Sequence, residues 1–148
     1  MLCFTPGVDE PVALRILFAD DDEAFRHLLR VRLDQIPEVE IVAEAADGAE
    51  AVELALALRP EFVLLDIAMP RLDGFEAATR IQESLPQATV VMHSGEMTPH
   101  NVSRCADLEL SLRDKLRLDE TLLEIVRVQA KPSSRDERRS ERASGAFA

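Results

Sequence analysis

Four places along the chain hold side chains that could do chemistry together: the acidic run Asp20-Asp21-Asp22, then Asp66, Ser94 and Lys115. Carboxylates held close together raise one another's pKa, so they do not all stay ionised cheaply. A hard divalent cation removes that conflict, and Mg²⁺ typically takes one or two carboxylates while keeping several waters. A carboxylate can also attack phosphorus, giving an aspartyl-phosphate. The phosphoryl group in transit then needs positive charge and hydrogen-bond donors around it. Mg²⁺, the Lys115 ammonium and the Ser94 hydroxyl are suitable sources. Lys115 is the only lysine in residues 1–130, where eleven arginines fill every other cationic place. A compact point charge therefore stands alone among fork-shaped ones.

Each residue also has an ordinary structural use. Acids that follow a strand cap the next helix and complement its dipole. Asp66 and Ser94-Gly95 both suit turns, and Lys115 by itself suits a surface. Asp73-Gly74 reads as a turn and helix cap rather than as chemistry. His27, His93 and His100 share no spacing with acids or cysteines, which argues against a histidine metal site.

The elements that must position these residues follow from the apolar pattern. Strands are expected at Leu14–Ala19, Val39–Ala43, Phe62–Asp66, Thr89–Met92 and, by weaker alternation, Leu108–Leu112. The run Phe62-Val63-Leu64-Leu65 reads as a strand buried on both faces. Between the strands lie helical stripes. Phe25, Leu28, Leu29, Leu33 and Ile36 form one that Pro37 ends. Ala49–Leu58 is a second helix, with Glu50 and Glu53 facing out. Phe75, Ala78, Ile81 and Leu85 form a third, closed by Pro86. Pro99–Ala106 is a short fourth helix capped by Thr98, and Asp119 caps a last one with Leu122, Ile125, Val126 and Gln129 along one side.

Strand and helix alternate five times, so the expected fold is α/β: a parallel sheet with helices on both faces and right-handed crossovers. The polar residues then fall at the carboxyl ends of strands. There, side chains distant in sequence share one edge of the sheet, where open α/β sheets bind ligands.

Composition sets limits. The 148 residues carry a net charge of −11. The last eighteen, 131–148, are polar, without period and carry a net of +2, which leaves −13 on residues 1–130. We expect a loose arm at 1–13, one domain at 14–130 and a disordered tail at 131–148. An acidic body repels nucleic acid and anionic membrane, so direct DNA binding and membrane association are not expected. Six Phe with no Trp or Tyr offer no stacking platform for bases. Cys3 and Cys105 form no framework, and nothing at the start resembles a secretion signal, which suits a reduced, cytoplasmic protein.

The motifs RILFADDD, VAEAADGAEAVELALALRPEFVLLDIAMPRLDGFEA, VVMHSG and DKLRLDETLLEIVR together resemble the receiver domain of two-component response regulators, from about Leu14 to Ala130. The resemblance implies a flavodoxin-like, doubly wound five-stranded sheet of order 2-1-3-4-5 flanked by five helices. It implies that Asp66 is the phospho-acceptor and that a histidine kinase is the donor. Asp20 and Asp21 correspond to the acidic pair at the Mg²⁺ site, with Asp21 binding directly and Asp20 through water. The Ala68 carbonyl corresponds to the backbone ligand. Ser94 and Lys115 correspond to the hydroxyl and the ammonium that hold the phosphoryl group, and Ser94 moves inward when that group is present. Such a domain catalyses only its own phosphorylation and dephosphorylation. It signals through protein contact, here to a downstream protein that the residues do not identify, as a stand-alone receiver and a monomer or weak dimer.

This chain also departs from the family pattern. The switch position three residues before Lys115 is usually aromatic and is Leu112 here. Leu116 follows Lys115 where Pro is usual, the segment from Ser94 to Lys115 is about one residue short, and Asp107 sits where Gly is common. Ala68 and Glu96 occupy positions that tune the lifetime of the phosphorylated state. The acceptor chemistry is therefore expected to be complete and the output face altered. Two other readings remain: a degenerate receiver acting as an interaction module, and a phosphatase resembling haloacid dehalogenases built on the Asp20/Asp22 spacing.

Overall fold

The computed structural model describes residues 13–130. The arm and tail expected from composition lie outside these residues, apart from Ala13. The elements are β1 (Leu14–Ala19), α1 (Glu23–Asp34), β2 (Val39–Ala45), α2 (Gly48–Leu58), β3 (Phe62–Asp66), α3 (Gly74–Ser84), β4 (Thr89–Ser94), α4 (Pro99–Asp107), β5 (Ser111–Asp114) and α5 (Leu118–Ala130), with a 3-10 turn at Lys115–Arg117 before α5. The five strands form one parallel sheet of order β2-β1-β3-β4-β5, the expected doubly wound topology.

Period-two alternation divides the core between two faces of the sheet. Leu17, Ala19, Val63, Leu65, Val90 and Met92 point to one face and pack against α2, α3 and α4. Ile16, Phe18, Phe62, Leu64 and Val91 point to the other and pack against Leu29 and Leu33 of α1 and Leu122 and Ile125 of α5. The central strand β3 is buried along its whole length. Asp20 and Asp66 follow the parity of Phe18 and Leu64, so both carboxyls belong to the α1/α5 face.

Side-chain caps start the helices. Asp22 accepts from the amides of Ala24 and Phe25, Asp47 from Glu50, Asp73 from Glu76 and Thr98 from Asn101. The expected roles of Asp73 and Thr98 are those the structure displays.

Three expectations need correction. The fifth strand is not Leu108–Leu112 but Ser111–Asp114. Residues 108–110 instead close α4: the Leu110 amide donates to the Cys105 carbonyl at 2.8 Å, and Glu109 takes a left-handed φ of 55°. Alternation alone could not see this helix ending. Asp119 does not cap α5. It lies in the first turn and pairs with Arg32 of α1, while Asp114 caps the preceding 3-10 turn by accepting from the Leu116 amide at 2.9 Å. Leu28 and Val126 are exposed, because the buried stripes of α1 and α5 are narrower than the apolar pattern.

Candidate functional site

β1, β3 and β4 end side by side. Ala19 pairs with Leu65 and Asp66 pairs with His93, which brings Asp20, Asp66 and His93 into one row across three strands. Asp20 and His93 are fully buried, and Asp66 is 4% exposed. β5 pairs Ser94 with Asp114, so Lys115 leaves the sheet at the same edge. Its Nζ lies 2.6 Å from Asp20 Oδ2 and 3.3 Å from Asp66 Oδ2, and 4.8 Å from the centre of the Phe25 ring. The one lysine of the body thus bridges the two buried carboxylates.

The electrostatics separate those carboxylates. Burial works against the charged form of Asp20, but His93, Lys115 and the Asp22 amide hold it down to about 2. Asp66 is pushed the other way, to about 7, by burial and then by the Asp20 charge, against the pull of Lys115. Burial alone would lower Lys115, but its two carboxylate partners raise it. Near neutrality the site therefore holds one firmly ionised carboxylate, one ammonium and one carboxyl balanced between its two forms.

This residue set suits a hard divalent cation. Asp66 is a carboxyl whose ionised form is disfavoured by burial and by a neighbouring anion, and a cation against its oxygen would reverse that preference. Asp21 is exposed and follows Asp20 directly in the chain. Ala68 is exposed in the loop that follows Asp66. That loop is held from below by two close approaches. A Cβ on Gly74 would lie 2.1 Å from the Asp66 carbonyl, and a Cβ on Gly48 would lie 2.0 Å from the Leu72 carbonyl. Only glycine fits at either place.

Ser94 is buried at the end of β4 and spends its hydroxyl on its own turn. Its hydroxyl donates to the Glu96 carbonyl at 2.9 Å and accepts from the Glu96 amide at 3.0 Å. Asn101 Nδ2 donates to the same carbonyl at 2.9 Å. Leu112 is half-buried and packs against the α2/α3/α4-side core. It stands at the position where an aromatic switch would be expected. Asp22 spends its carboxylate on the α1 cap, at 3.0 Å from the Ala24 amide and 3.3 Å from the Phe25 amide. The Asp20/Asp22 pair that a phosphatase would use is thus split between a buried ion pair and a helix cap.

The structure adds His93 to the neighbourhood of the site. His93 Nε2 lies 3.2 Å from Asp20 Oδ2, and its ring meets Phe25 edge-on at 5.3 Å. Burial pushes the imidazole below the ordinary histidine range, although Asp20 opposes this. Spacing along the chain could not reveal the contact. The usable signal was strand parity, since His93 falls two residues after Val91 on the face that Asp20 and Asp66 share. Arg26 was also missed. It donates from its guanidinium to the Asp20 carbonyl at 2.8 Å and fixes the turn between β1 and α1.

Residues 16–112 match the family model described as the response regulator receiver domain. Among characterised proteins, the chain is 49% identical over 79 residues to protein-glutamate methylesterase/protein-glutamine glutaminase 4 of Myxococcus xanthus, covering 53% of this chain and 22% of that protein. It is 36% identical over 96 residues to the response regulator protein VraR of Staphylococcus epidermidis, covering 65% of this chain and 46% of that protein. The chain thus spans less than half the length of either relative. Among solved structures, the response regulator domain of Thermotoga maritima CheB superposes with a TM-score of 0.72 at 27% identity, over 81% of this chain and 98% of that one. The signal receiver domain of NarL from Mycobacterium tuberculosis does so at 0.69 and 29%, over 77% and 96%. Among the described residues no helix is long and apolar enough to cross a membrane.

Proposed function

The chain belongs to the response regulator receiver family, and on that premise we propose that it takes a phosphoryl group from a histidine kinase onto Asp66. The observation that carries this reading is the bridge of Lys115 between Asp20 and Asp66, at 2.6 and 3.3 Å, at the carboxyl edge of the sheet. An Asp66 carboxylate oxygen forms the new bond to phosphorus as the bond from phosphorus to the donor's imidazole nitrogen breaks. The nitrogen leaves with the electron pair and takes up a proton.

Asp20, Asp21, Asp66 and the Ala68 carbonyl would hold Mg²⁺. The cation supplies charge neutralisation for the nucleophile and for the oxygens of the transferring group. Lys115 is within reach of the same oxygens. Ser94 reaches them once its hydroxyl leaves the Glu96 turn. That exchange of partners moves the loop between β4 and α4, and it offers a route from phosphorylation to the face formed by α4, β5 and α5. Leu112 lies under that face where an aromatic ring would ordinarily change rotamer, so the change transmitted is smaller here. A downstream protein in the cytoplasm would read it by direct contact.

The test is acetyl phosphate with Mg²⁺, followed by the intact mass of the full chain. A gain of one phosphoryl group that disappears in Asp66→Ala is expected. No gain, or a gain that persists in Asp66→Ala, refutes the assignment.

A further inference from the structure

Phe25 stands at the site end of the α1 stripe, and packing alone does not account for it. Leu29 and Leu33 of the same stripe are fully buried, whereas Phe25 is only half-buried against that core. Its ring is placed from two sides. The Phe25 amide donates to the Asp22 carboxylate at the start of α1, at 3.3 Å, and the His93 imidazole meets the ring edge-on with the centres 5.3 Å apart. The Lys115 ammonium lies over the ring, 4.8 Å from its centre. An aliphatic side chain would fill the same space. What a ring adds is a face of negative charge toward a cation.

An ammonium carries three N–H donors and no acceptor. Asp20 Oδ2 at 2.6 Å and Asp66 Oδ2 at 3.3 Å are partners for two of them, and the ring face is the partner on a further side. The Lys115 side chain is 16% exposed, so little water competes with the ring. Lys115 also starts a 3-10 turn outside the sheet, on a flexible four-carbon stem, so its backbone does not fix where the ammonium stays. The two carboxylates are the same ones that would hold Mg²⁺. An oxygen engaged by a divalent cation attracts an ammonium less strongly. Of the three neighbours, the ring is the one whose hold on Lys115 does not depend on the metal.

We propose that Phe25 is a positioning residue for phosphoryl transfer: the face of its ring keeps the Lys115 ammonium at the carboxyl edge of the sheet when the carboxylate oxygens are engaged elsewhere. The proposal rests on the reading of Asp66 as phospho-acceptor. Phe25 touches no reacting atom and acts through Lys115. The property in use is the charge on the ring face rather than the bulk of the ring.

The experiment replaces Phe25 alone, in the full chain, with phenylalanine analogues carrying one, two or three ring fluorines. Fluorine withdraws charge from the ring face and nearly preserves its shape. One readout is the exchange of the Lys115 ammonium protons with water in the metal-free chain, followed by nitrogen-edited NMR. The other is the rate of labelling at saturating acetyl phosphate and Mg²⁺, followed by intact mass. Exchange should quicken and labelling should slow with each added fluorine, by about threefold to thirtyfold at the trifluorinated ring. Phe25→Leu, which has no π face, should lie at the slow end of the labelling series, and Phe25→Tyr, which keeps the face, should stay near wild type. Ammonium exchange that is unchanged across the fluorinated rings overturns the proposal. So does labelling that stays constant while exchange responds, or a leucine variant equal to wild type in both readouts. Wild type that takes no label refutes the phospho-acceptor reading, and the exchange series still decides whether the ring holds Lys115.

Discussion

Replacing Asp66 with Asn should stabilise the metal-free domain, and the gain should grow with pH. Asp66 lies 4% exposed beside an anion, and its carboxyl is pushed from its ordinary 3.8 up to about 7. A raised carboxyl binds its proton more tightly in the folded chain than in the unfolded one. Stability is therefore lost as pH rises from about 4, where the unfolded chain begins to ionise, to about 7, and levels off above that. At 1.36 kcal/mol per pH unit, the loss across that window has a ceiling of about 4 kcal/mol. Against a total stability of about 5–15 kcal/mol for a domain of this kind, that is a large share. Asn keeps the shape without the charge. It gives up the Lys115 contact at 3.3 Å, but Lys115 retains Asp20 at 2.6 Å.

The other titrating groups do not obscure the effect. Asp20 is held down to about 2, so its stabilisation is complete above its ordinary 3.8 and is lost only as pH falls toward about 2. His93 is lowered and loses stability as pH falls below the ordinary histidine value, but wild type and variant share it. Urea unfolding in chelator, followed by circular dichroism at several pH values from about 4.5 to about 8, isolates Asp66. The stability difference between Asp66→Asn and wild type should increase by about 2–4 kcal/mol across that range. Mg²⁺ should then narrow it by stabilising wild type more than the variant. A difference that stays flat with pH, to within about 0.5 kcal/mol, refutes the argument that burial and Asp20 keep Asp66 hard to ionise.

The remaining predictions test the supports around Asp66. Lys115→Met removes the cation from Asp20 and should destabilise the metal-free chain at neutral pH by about 3–5 kcal/mol, measured by urea unfolding, with partial recovery in Mg²⁺. Gly48→Ala places a methyl 2.0 Å from the Leu72 carbonyl, where backbone must give way. It should cost about 1–3 kcal/mol despite the better helix propensity of Ala, and weaken Mg²⁺ binding by shifting the loop that carries Ala68. Calorimetry and thermal melting check the two effects separately. Asn101→Ala removes one donor from the Glu96 carbonyl and should cost about 0.5–1.5 kcal/mol locally. Hydrogen exchange should quicken at the Glu96 and Asn101 amides and leave β3 unchanged.

Much of the architecture was legible before any coordinates. The run Phe62–Asp66 is apolar throughout, and only a strand covered on both faces makes use of such a run, so β3 emerged with its observed ends. Alternation of strands with short helices allows few topologies, and parallel pairing puts every strand's carboxyl end at one edge. Asp20, Asp66, Ser94 and Lys115 could therefore be placed at one edge from the parallel pairing of the strands they follow. Element boundaries were less accessible where two local rules compete. Leu108–Leu112 alternates like a strand, yet its first residues close α4, because buried carbonyls at a helix end must find donors. Asp119 has the type of a cap, but the 3-10 turn shifted that role to Asp114.

The sequence by itself determined the parallel sheet and its acidic edge, because hydrophobic period and chain connectivity are local properties, while the strand order followed from the resemblance to receiver domains. Only the tertiary structure decided which carboxylate is easy to ionise, where the Ser94 hydroxyl points, and that His93 lies against Asp20. Those depend on burial and on distances across three strands, and residues 46 and 73 positions away from Asp20 enter its electrostatics as nearest neighbours only after the chain has folded.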